Sequence, residues 1–194
     1  MKFLLRAKHW QLFIILFGIP FLAQFVFIGS VISHIESEGS FTTFPIVFPI
    51  VMVVWTGIFF GWLYVTGINL YKKLPSTVTM SLKLFKIFIA IPVIYILFIC
   101  VFVFGFFDSS VLNGATPGAG IFLFIVPIHL FSMFCIFYCL YFVSKCLKAV
   151  EWQRPVTFSD YAGEFFLIWF FFIGVWLIQP RINKLFNEGI QSNT

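Results

Sequence analysis

Four uninterrupted apolar runs, over residues 11–33, 44–71, 87–107 and 121–144, limit what this chain can fold into. A helix needs about 20 apolar residues to cross a hydrocarbon core of ~30 Å. Each run meets that length. Membrane-spanning strands would be ~10 residues long and alternating, which these runs are not. The pattern predicts an all-α integral membrane protein, with 1–194 as a single membrane domain carrying four transmembrane helices.

Composition closes off the alternatives. Hydrophobic residues make up 61% of the chain and charged residues 10%, against roughly 25% charged in an ordinary soluble domain. No soluble fold of this length has the polar surface to cover such a chain. A soluble enzyme, a disordered protein and a nucleic-acid-binding domain are therefore excluded. The net charge of +5 reads as a topology signal, and the bilayer is the first partner expected. Cys100, Cys135, Cys139 and Cys146 lie in or just past apolar runs, so they read as reduced thiols used as small apolar residues.

Basic residues collect in alternate connections. Lys2, Arg6 and Lys8 precede the first run; Lys72, Lys73, Lys83 and Lys86 follow the second; Lys145, Lys148 and Arg154 follow the fourth. The connections 34–43 and 108–120 hold Glu36, Glu38 and Asp108 and no Lys or Arg. The positive-inside rule then places the N-terminus in the cytoplasm.

A fifth apolar run covers 165–178. Its 14 residues span ~21 Å as a helix. If it crossed, Arg181 and Lys184 would break the charge pattern. The reading is a short C-terminal re-entrant or buried helix over 161–178, with the C-terminus cytoplasmic. The alternative is five transmembrane helices. Thr157 and Asp160 have capping-box spacing ahead of it.

The interiors of the four spans carry no Asp, Glu, Lys or Arg. Such residues mark proton relays and ion coupling, and no metalloprotease, P-loop or Rossmann motif is present. No enzymatic activity and no cofactor are expected. His129 and Met133 share a helical face and have metal-ligand chemistry, but no other span supplies a His. Gln24, Thr56 and His129 form a candidate polar intramembrane site. Pro20 sits centrally in its span, where proline kinks a helix. Gly57 and Gly61 form a GxxxG packing face. Trp152, Arg154, Tyr161 and Arg181 form a candidate cytoplasmic docking or lipid-headgroup face.

Two boxes resemble a group of small, uncharacterised bacterial polytopic membrane proteins. One is Ala7-Lys8-His9-Trp10-Gln11-Leu12-Phe13. The other runs from Ser159-Asp160-Tyr161 through Gly163-Glu164-Phe165-Phe166 to Trp176-Leu177-Ile178-Gln179-Pro180-Arg181-Ile182-Asn183-Lys184. The resemblance implies a bacterial inner-membrane location and brings no activity or site residues. The expected function is a non-enzymatic subunit or accessory factor. It would act through helix packing and a basic, aromatic cytoplasmic face, with another membrane protein or a second copy as partner. The alternative is a small transporter or channel for a weakly polar solute, lined around Gln24 and His129.

Overall fold

A computed structural model describes residues 3–37, 43–113 and 119–191. All regular structure among them is helical. The elements are α1 (Phe3–Arg6), α2 (His9–Phe13), a π turn (Ile14–Gly18), α3 (Ile19–Ser37), α4 (Thr43–Tyr71), α5 (Leu82–Asn113), α6 (Ala119–Trp152), α7 (Phe158–Trp169) and α8 (Phe171–Gln191). Four stretches are long and apolar enough to span a membrane: His9–Val26, Pro49–Tyr71, Leu82–Phe102 and Leu123–Trp152. The glycine-rich part of the 108–120 connection, at 114–118, lies outside the described residues, as does Lys2.

The first span is interrupted where Pro20 predicts it. Proline has no N–H to give to the carbonyl four residues back. The chain answers just before it with a π turn, in which Ile19 N–H donates to Ile14 O. Such wide turns occur mostly as single-turn bulges inside α-helices. The fourth span overruns its expected end at 144 and continues to Trp152. Its added turns carry Lys148 and Glu151, which are charged but have partners in α7 and α8.

The fifth apolar run differs from expectation in one respect. It is not a single short helix over 161–178 but two helices broken at Phe170, whose ψ of 57° leaves the helical region. Backbone groups stay satisfied across the break. Phe170 N–H donates to Phe166 O, and Ile173 and Gly174 N–H donate to Phe170 O. Gly174 makes the turn possible, because a Cβ there would overlap the Leu167 carbonyl group. Uniform hydrophobicity on both sides of the break hides it from periodicity.

α7 and α8 form an antiparallel hairpin that enters and leaves the bundle at one end. Trp169 packs 4.5 Å from Phe137, Phe171 packs 5.5 Å from Phe59, and Phe17 lies 6.3 Å from Phe171. Those three partners sit near the midpoints of their spans, so the turn reaches about half-way through the bundle. Thr157 follows the end of α6 by a short link, and Lys73 donates to Leu185 O at the far end of α8. Both ends of the hairpin therefore lie at the end of the bundle rich in Lys and Arg. The re-entrant reading describes this arrangement.

The hairpin decides where the core sits. The largest fully buried side chains include Leu12, Leu16, Trp62, Leu63, Phe85, Phe142, Leu147, Ile168, Ile178 and Ile182, in the half of the bundle that the hairpin enters. Phe85 stacks on Phe142 at 4.3 Å and fills the space left by Gly67, where a Cβ would overlap its ring. In the other half Phe25, Val26, Val101, Leu123 and Phe124 are exposed. With fewer helices to cover them, these apolar faces meet lipid, as transmembrane helices do.

Candidate functional site

The polar structure of the described residues concentrates at the basic end, in two clusters built around the hairpin. The first ties the N-terminus down. Gln179 on α8 is fully buried. Its Oε1 accepts from Trp62 Nε1 at 2.8 Å. Its Nε2 faces the Leu4 and Ala7 carbonyls at 3.2 and 2.9 Å, and Asn183 Oδ1 at 3.1 Å. Asn183 Nδ2 donates to Ala7 O as well, at 3.2 Å. The carbonyls at the end of α1 have no helical partner of their own, and the two amides supply one. Beside them His9 packs 4.9 Å from Trp176, and Phe13 packs 5.4 Å from it. The two boxes quoted above thus touch in space although more than 160 residues separate Ala7 from Gln179.

The second cluster is ionic. Glu164 on α7 is 5% exposed. It accepts from Lys148 Nζ at 2.9 Å and from Arg181 at 2.7 Å. Arg181 also grips Glu151 with two nitrogens. Four charges from α6, α7 and α8 are thereby closed on one another. Burial alone would push the Glu164 carboxyl up. The hydrogen bonds from Lys148 and Arg181 outweigh it and hold the group below its ordinary value of 4.5. The Arg181 guanidinium is raised, first by its bonds to Glu151, against the opposing effect of burial, and then by Glu164. The expected capping box is present: Thr157 N–H and Oγ1 both donate to Asp160 Oδ2, at 2.7 and 2.9 Å.

Because the folded-state value of Glu164 is lowered, the stability it gives is complete above 4.5 and fades as the pH falls through the lower folded value. An acid titration followed by thermal melting in detergent should show a stability loss below that point. Glu164→Gln should cost about 2 kcal/mol at neutral pH and make the loss shallower, the rest coming from Asp160, whose carboxyl the Thr157 N–H and hydroxyl also hold below its ordinary value. A titration identical to the wild type would remove Glu164 from the account.

The remaining sequence candidates divide. Of the docking face, Trp152 and Arg154 are exposed, with the guanidinium 4.6 Å over the indole. Tyr161 is buried and Arg181 is held by the ion pairs, so these two serve the hairpin. Of the intramembrane trio, Gln24 is exposed on α3 and Thr56 is buried on α4 with its hydroxyl unpartnered. His129 is exposed on α6 and pairs through Nδ1 with Tyr95 OH at 3.1 Å. No hydrogen bond among the described residues joins the three. Tyr95 was not legible as the partner, since one tyrosine on another helix carries no spacing signal. A Cβ on Gly57 would meet nothing, and one on Gly61 would touch Leu4 of α1. The GxxxG face therefore opens on a groove between α4 and α5 lined by Phe60, Ile89 and Val93. Among the described residues no three His, Cys, Asp or Glu side chains gather as a metal site.

No family model matches the chain, and no curated protein or solved structure matches it.

Proposed function

We propose that this membrane protein is a non-enzymatic subunit or accessory factor of a bacterial inner membrane. Its N- and C-termini are cytoplasmic, and it presents its re-entrant hairpin end to a protein partner. The observation that carries this reading is the contrast at the basic end. Glu151, Glu164, Lys148 and Arg181 are consumed in holding the hairpin, while Trp152 and Arg154 remain stacked and exposed beside it. Tryptophan and arginine are enriched among the residues that dominate protein interfaces. A rigid scaffold under an exposed Trp–Arg corner suits recognition better than turnover.

The test is purification of the tagged chain from its native membrane in mild detergent, with mass spectrometry of what accompanies it. A stoichiometric partner is expected. Arg154→Glu with Trp152→Ala should release it at least tenfold, an effect of about 1.4 kcal/mol or more, while the melting temperature falls only by what the contact of Lys148 Nζ with the Trp152 ring contributes. Arg181→Ala is unsuitable because it breaks the ion cluster. Retention of the same partner by the double variant, or no partner with the wild type, would overturn the reading.

A further inference from the structure

The π turn and the hairpin enclose a groove that the ion and amide clusters do not use. Its volume is about 550 Å³, and its walls are Phe13, Phe17, Gly18, Phe21 and Phe172. From Phe13 to Phe21 it runs about 12 Å along the helix, comparable to much of one leaflet's hydrocarbon depth. Its existence follows from local structure. Pro20 forces the wide turn, Gly18 brings no side chain to it, and the hairpin lays Phe172 6.4 Å from Phe17.

The two ends of the groove differ in chemistry. Toward the middle of the bundle it is closed only by apolar residues. Toward the basic end Phe13 meets Trp176, which also packs on His9; Lys8 precedes the first residue of α2, five residues before Phe13, and Arg6 ends α1 just across the break in the helix. Both cations are exposed, and none of the carboxylates in the ion cluster pairs with either. An aromatic cleft at acyl-chain depth under exposed cations at headgroup depth has the polarity of one molecule, an anionic phospholipid.

We propose that the groove holds one acyl chain of an anionic bilayer phospholipid whose phosphate rests against Arg6 and Lys8. The lipid is a bound structural ligand that lies between the first span and the hairpin. This inference stands apart from the proposed protein partner, because the groove is built from the first span and Phe172 and uses neither Trp152 nor Arg154.

The probe is phosphatidylglycerol against phosphatidylcholine with the same chains, added to the full protein in mild detergent and counted by native mass spectrometry. One phosphatidylglycerol per chain is expected, held at least tenfold more strongly than phosphatidylcholine. Gly18→Phe fills the groove and should lower retention at least tenfold. Gly18→Ala should not, since its Cβ makes only an ordinary contact with Ile14 at 3.5 Å. Arg6→Gln with Lys8→Gln changes exposed positions only. It should erase the headgroup preference, and it carries the test alone if Gly18→Phe does not purify. Equal retention of the two lipids by the wild type would overturn the proposal. So would full preference in the Arg6/Lys8 variant, or a wild-type dimer that dissociates on Gly18→Phe, which would put a second copy in the groove.

Discussion

Gly174→Ala should detach the hairpin and lower the melting temperature of the detergent-solubilised protein by about 10 °C. The added methyl would overlap the Leu167 carbonyl group. Overpacking a core side chain costs about 1–3 kcal/mol, because side chains can turn away. A backbone carbonyl inside α7 cannot do so without breaking the helix or separating α7 from α8. The expected cost is therefore about 4 kcal/mol, at the top of what single substitutions do. Separation would take Glu164 away from Arg181 and Phe171 from its place against Trp62, at 4.7 Å. Gly163→Ala is the control. A Cβ there meets nothing within 4 Å, so it should be neutral or gain up to about 1 kcal/mol of helix propensity. If the two alanine variants melt together, the close approach of α7 and α8 is not what closes the hairpin.

The same hairpin shows what a sequence of this kind discloses. The four spans were legible because length and continuous hydrophobicity suffice to set them. The short fifth run was legible as an element that stays on one side, since Arg181 and Lys184 follow it. Its break at Phe170 was not, because every residue around it is apolar and a turn inside the bundle needs no Gly-Pro or Asn-Gly signal. The ion cluster was hidden for a different reason. Lys148, Glu151, Glu164 and Arg181 belong to three helices, and separations of 16, 17 and 30 residues follow no helical period. Arg181 therefore read as part of a cytoplasmic docking or lipid-headgroup face, whereas the structure makes it the centre of the cluster. Arg154, from the same belt, kept the exposure its position suggested. The polar trio failed to assemble because polarity at depth marks residues that need partners without saying which. His129 found Tyr95, and Thr56 found none among the described residues.

Gln179→Leu is expected to release the N-terminal segment at a cost of about 4 kcal/mol. Leucine fills much the same volume, so little of this comes from a cavity. The loss comes from what the amide leaves behind. Trp62 Nε1–H would be buried without an acceptor, and the carbonyls of Leu4 and Ala7 would lose their donor. Each stranded group costs about 1–3 kcal/mol. Asn183 still reaches Ala7 O, which limits the damage at that carbonyl. Trp62→Phe separates the two halves of the effect. It removes the indole donor, so Gln179→Leu added to it should cost about 1–2 kcal/mol less than in the wild type, the usual size of such a coupling between contacting residues. Limited proteolysis between Arg6 and Lys8 should rise in Gln179→Leu and in the double variant, and stay low in Trp62→Phe, where the amide still holds the backbone. An additive pair of substitutions would show that Trp62 and Gln179 act independently. A protected N-terminus in Gln179→Leu would show that the His9–Trp176 and Phe13–Trp176 contacts, at 4.9 and 5.4 Å, are enough to hold the first turns without the amide.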